Sequence, residues 1–261
     1  MSAERLRARR APWLAVAAGA VVLWAAPPAC GEVPGRAAAA GPAVQAMVVG
    51  RGGSVLAGPR TVTASAGTVP VSGRRCSVAA GTPLAVLVAL RRLGGPAFAL
   101  RDYGRCGAAA RNSGQLFVYR LGGESNRGQS GWEYKVGGIA GTTGAADPSG
   151  VRGDGRLLRS GERVLWFWCE ASAGGCERTL EVSAPATVGP GGTMTVRVSG
   201  YDNEGRAVPV AGALVRLGSD FATSTASGLA SVIVPGAPGR YTLSAARSGL
   251  VPAFPETIVV R

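Results

Sequence analysis

The chain has 261 residues, 28 Lys plus Arg against 15 Asp plus Glu, a formal net charge of +13, and no His. A charged fraction of 16% beside 46% apolar residues excludes an extended, solvated tail. The missing imidazole excludes Ser-His-Asp and Cys-His hydrolases, His-ligated zinc enzymes and haem held by a proximal His.

Arg5, Arg7, Arg9 and Arg10 precede an apolar run over residues 11–26 that ends at Pro27-Pro28. A spanning helix needs ~20 apolar residues, and a basic start followed by a shorter apolar run is the layout of a secretory signal. Residues 1–30 therefore read as an export signal and residues 31–43, rich in Ala, Gly and Pro, as a flexible lead-in. Cys30 invites a lipid-anchor reading, but Pro27 and Pro28 do not fit the motif that such anchoring uses. No later run is apolar enough to span, so no transmembrane segment is expected beyond the signal. The expected location is secreted, or the outer side of the cell envelope.

Four further cysteines, Cys76, Cys106, Cys169 and Cys176, form an even set, which in an exported chain reads as two disulfides. Cys169 and Cys176 flank a Gly-containing short loop and are expected to pair locally, leaving Cys76 with Cys106.

After the lead-in, residues 68–78 have strand character. Thr82 then offers a helix cap, Pro83 suits the first helical position, Leu84, Leu87, Val88 and Leu90 make an apolar face, and Gly94-Gly95 ends the run. Strands follow at 98–103, 116–120, 132–136 and 163–169. Together they predict an α+β domain over residues 44–184, one helix on a mainly antiparallel sheet. Trp132 and Tyr134 are two apart, as are Trp166 and Trp168, so each pair shares a strand face. They are either core or a stacked platform for a sugar ring or flat cofactor, and these four are the candidate ligand-binding residues. Leu165 and Phe167 point the other way, which predicts a central strand covered on both faces. The Gly-rich stretch 137–155 reads as a flexible loop at the sheet edge; its Asp147 and Asp154 lack the alternating oxygen ligands of a calcium loop.

A composition break at residue 184, followed by Gly189-Pro190-Gly191-Gly192, opens a second module over 185–261 that has neither Trp nor Cys. Alternation in residues 193–199, with short apolar runs at 213–217, 229–234, 241–245 and 257–260, predicts an all-β sandwich.

Two resemblances refine this reading. Residues 131–138, Gly-Trp-Glu-Tyr-Lys-Val-Gly-Gly, and 161–168, Gly-Glu-Arg-Val-Leu-Trp-Phe-Trp, resemble the bacterial domain of unknown function related to the C-terminal domain of transcobalamin. Gly137 replaces the usual Asn and Glu162 the usual Asp. This resemblance implies a ligand- or surface-binding module, with corrinoid capture one possibility, and carries over no catalytic residue. Residues 210–215, 225–230 and 239–245 resemble bacterial immunoglobulin-like and carboxypeptidase-regulatory-like modules, which implies a sandwich that serves as a spacer or adhesive unit.

Of the 28 basic residues only Lys135 is Lys. The arginines are scattered, without the basic and aromatic stripe of a nucleic-acid site. Nucleic acid is therefore excluded as a partner; a cell-wall polymer, a glycan or a small hydrophobic ligand remain. No metal site and no cofactor are expected. The carboxylates, Glu124, Glu133 and Glu162 among them, lie near turns or beside Arg and do not form an evident acid/base pair. The reading is an exported, non-enzymatic binding or surface-interaction protein, with a corrinoid-type binder, a spacer and a carboxylate hydrolase as rivals.

Overall fold

The computed structural model describes residues 40–172 and 175–261. The expected export signal of residues 1–30, with Cys30, and most of the expected lead-in lie outside the described residues. In chain order the first half holds β1 (Ala43–Val49), β2 (Val55–Thr63), β3 (Gly67–Val71), β4 (Arg74–Val78), α1 (Pro83–Arg92), β5 (Phe98–Asp102), β6 (Leu116–Leu121), β7 (Glu124–Ser125), β8 (Gly131–Val136), β9 (Ile139–Ala140) and β10 (Arg163–Cys169). The second half holds β11 (Thr179–Ser183), β12 (Thr187–Val188), β13 (Thr193–Tyr201), β14 (Ala207–Pro209), β15 (Leu214–Leu217), β16 (Asp220–Thr223), β17 (Leu229–Ile233), β18 (Gly239–Ala246) and β19 (Glu256–Val260). Strand dominates, and α1 is the single α-helix among the described residues. Among them no helix is long and apolar enough to cross a membrane.

The first sheet runs β2-β1-β10-β8-β9. Only β1 and β10 pair in parallel; the other neighbours are antiparallel. β10 is central, and six of its seven residues are buried, so both faces of the strand are covered. One face packs under α1 and the hairpins in a cluster containing Trp132, Tyr134, Trp166 and Trp168. The opposite face carries Met47, Val49, Leu165 and Phe167 and packs against Val251 and Phe254 from the second half.

α1 forms where its caps require. Thr82 Oγ1 accepts from Ala85 N at 3.3 Å, and Pro83 fills a position whose N–H has no intrahelical partner. Leu84, Leu87 and Leu90 are buried, and Gly94 turns the chain away in the left-handed region.

Residues 68–78, expected as one strand, form the β3–β4 hairpin instead. Ser72 and Gly73, with φ of 47° and 77°, both take the left-handed conformation that a two-residue hairpin turn needs. The stretch 137–155, expected as a flexible edge loop, is folded onto the core. Ala145, Ala146 and Val151 are buried, and the Ala145 carbonyl accepts from Leu84 N at 2.7 Å.

In the second half, β11, β14 and β17 pair with β13, while a second sheet runs β12-β19-β18-β15-β16. β13 alternates strictly between buried and exposed over Thr193–Val198. Val196 and Val198 from one sheet and Val215, Leu243 and Ile258 from the other belong to one buried cluster, so the two sheets share a core. β11 precedes the composition break at residue 184, yet pairs in register with β13.

Two disulfides link Cys76 to Cys106 and Cys169 to Cys176.

Candidate functional site

The register of β8 on β10 sets Trp132 opposite Trp168 and Tyr134 opposite Trp166. All four rings therefore meet on one face, with Trp132 edge-on to Trp168 at 5.9 Å and Tyr134 tilted against Trp166 at 5.4 Å. None is more than 5% exposed. Their polar atoms are satisfied inside the protein: Trp132 Nε1 donates to the Glu124 carbonyl, Tyr134 Oη to the Thr143 carbonyl, Trp166 Nε1 to the Pro83 carbonyl and Trp168 Nε1 to Glu170. Arg51 covers the Trp168 ring at 4.6 Å. The sequence-predicted platform is thus assembled but closed, because a domain with few aromatic residues uses its largest rings to fill the space under α1. Burial raises the Tyr134 pKa against the opposing Thr143 hydrogen bond, and burial also raises that of Glu133.

The principal cleft lies on the other face of the same sheet. A cavity of about 460 Å³ opens between Lys135, Arg163 and Leu165 of the first half and Leu180, Tyr201 and Phe254 of the second. Strand alternation puts Lys135 on this face, opposite Leu165, with its ammonium 5.5 Å from the centre of the Phe167 ring. Lys135 is 1% exposed. Its Nζ donates to Thr179 Oγ1 at 3.2 Å and to the Tyr201 and Asp202 carbonyls at 3.0 and 2.9 Å. Burial lowers its pKa to about 8, against the pull of Asp202 and with help from Arg178. Three acceptors match the three ammonium N–H groups, so the side chain ties the first sheet to β11 and β13 and presents no lone pair to a substrate.

The rest of the rim is sorted by charge. Arg163 bridges to Glu256 and lies 5.6 Å from the Phe254 ring. Glu162 is held by Arg156 and by the Arg159 N–H. Glu181, also on the rim, makes no ion pair among the described residues and is the carboxylate left to meet a ligand. Burial, with a smaller contribution from Glu181, raises the Tyr201 pKa and keeps its phenol protonated. Leu165, Leu180 and Phe254 supply the apolar wall. Such a site offers shape, an apolar surface and one acceptor cluster.

Among the described residues no group of three or more His, Cys, Asp or Glu side chains is gathered as metal ligands. Glu124, Glu133 and Glu162 point to separate tasks: Glu124 accepts from the Arg51 N–H, Glu162 is paired with Arg156, and Glu133 lies beside a recess near Phe117. Sequence reasoning missed the role of Lys135 and the cleft beside it. The available signal was one Lys in a chain that otherwise uses Arg, at a buried strand position where a compact ammonium is required. Compared with family models, curated proteins and solved structures, the chain matches none.

Proposed function

We propose that this is an exported, non-enzymatic binding protein whose small, partly apolar ligand sits in the cleft beside Lys135. The observation carrying this reading is the 460 Å³ cavity at the seam of the two halves, within the ordinary range of about 300–1,000 Å³ for small-ligand sites. Leu165, Leu180 and Phe254 would take the apolar body, and Glu181 with the Tyr201 phenol would orient a donor group. The two disulfides support an oxidising compartment, as does the signal-like pattern of residues 1–30. In this reading the first half is the transcobalamin-related module and the second an immunoglobulin-like sandwich that completes the cleft wall. The corrinoid alternative loses its aromatic platform to the core, which favours a smaller ligand.

Thermal unfolding of the purified chain against a panel of small amphipathic amines, a corrinoid, wall-derived glycan fragments and calcium tests the proposal. A bound ligand raises Tm, and the rise grows with the logarithm of its concentration above Kd. Glu181→Gln is expected to remove most of the shift given by an amine. A flat response across the panel would assign the cleft to packing and the protein to the spacer class.

A further inference from the structure

Arginines that look scattered along the chain meet aromatic rings at several places outside the cleft, and one of these is the β5–β6 hairpin. On the β5–β6 hairpin, Arg101 is register-paired with Phe117, so the two side chains share a face, while Leu116 and Val118 on alternate residues point into the core. Tyr103 and Phe117 hold their rings 6.0 Å apart at 66% and 41% exposure, and Arg101 stands 4.7 Å from the centre of the Tyr119 ring. Arg105 and Arg111 occupy the connection between the two strands, and both are exposed. The single acidic residue between 98 and 121, Asp102, is consumed: it accepts from the Gly104 and Cys106 N–H groups and pairs with Arg74. Arg101, Arg105 and Arg111 make no ion pair among the described residues. The hairpin and its connection thus carry both unneutralised guanidinium groups and a water-exposed ring pair.

We propose that this face binds an anionic polysaccharide. Aromatic faces stack on the C–H surface of sugar rings, and guanidinium forks match the carboxylate or other oxyanion groups that such rings carry. A single-stranded nucleic acid has related chemistry, with stacking and negative charge. The disulfides favour a polymer met outside the reducing cytoplasm. The inference shares the extracellular setting with the functional reading but does not use the cleft.

The test is binding of the purified chain to sodium alginate, a polyuronate, measured by isothermal titration at 50 and 200 mM salt. Dextran, a dT30 oligonucleotide and phosphatidylglycerol vesicles serve as the neutral, nucleic-acid and lipid arms. Alginate is expected to bind and to weaken with salt, and dextran to give no signal. Tyr103→Ala and Phe117→Ala should each weaken alginate binding about fivefold, the loss of one ring contact. Arg101→Gln should weaken it similarly and flatten the salt dependence. Phe221→Ala, at the exposed ring near Arg216 on β16, is the control and should change nothing. Circular dichroism and Tm of each variant establish that it is folded. Absence of alginate binding overturns the proposal, as does tighter binding to dT30 or to vesicles. Unchanged affinity in a folded Tyr103→Ala/Phe117→Ala double variant also overturns it. If alginate fails while a small amine still raises Tm, the hairpin inference falls and the cleft reading stands.

Discussion

Lys135 holds its charge in a place where solvent cannot help it, and three oxygens at 2.9 to 3.2 Å compensate. Its folded pKa of about 8 lies below that of an exposed lysine, so between pH 8 and about 10 the unfolded chain binds more protons than the folded one. Stability should therefore rise with pH across that window, by up to about 3 kcal/mol, and urea midpoints at pH 7, 8, 9 and 10 will show it. Above pH 10 the raised tyrosine pKa values work in the opposite sense, since Tyr134 and Tyr201 keep their protons longer when folded. Lys135→Met should abolish the rise and, at pH 9, destabilise by about 2–4 kcal/mol because buried acceptors lose their donor. Gly141 is a second sensitive residue. A Cβ there would collide with the Tyr134 ring and displace the phenol from the Thr143 carbonyl. Gly141→Ala is expected to cost about 2 kcal/mol in urea unfolding, in line with other overpacking changes.

Among the elements, α1 was legible before any coordinates because its signals are local. Thr82, Pro83, the spaced leucines and Gly94 are contiguous in the chain and act through the backbone groups that a helix end leaves unpaired. Thr82→Ala should lower stability by about 1 kcal/mol, measured by chemical unfolding. The β3–β4 hairpin was not separated from a single strand, since its turn is a Ser-Gly pair, a weaker mark than Asn-Gly. The disulfides act on elements of different reach. Cys76–Cys106 spans 30 residues and Cys169–Cys176 spans 7, so the chain-entropy model gives about 3.5 and about 2.5 kcal/mol. Replacing Cys76 and Cys106 by Ser should lower the unfolding midpoint more than replacing Cys169 and Cys176.

At the scale of the whole molecule, the opposite face of the first sheet joins the halves through Phe167, Leu165, Val251 and Phe254. Phe167 is fully buried there, and Phe167→Ala should cost about 3–5 kcal/mol. If that seam couples the halves, the wild-type chain unfolds in one calorimetric transition and the variant in two; a single transition in both would show that coupling runs elsewhere.

Composition, strand alternation, the capped helix and cysteine parity belong to the chain by itself, because each depends on neighbours a few residues away or on amounts alone. The pairing of Trp132 with Trp168 across β8 and β10, and the burial of both rings, belong to the tertiary structure. Alternation tells which residues share a face but not what covers it. Likewise Lys135 meets Tyr201 and Asp202 across 66 and 67 residues, and Arg101 meets Tyr119 across a hairpin. Such contacts are decided when strands pair and sheets stack, after the local preferences of the chain have been spent.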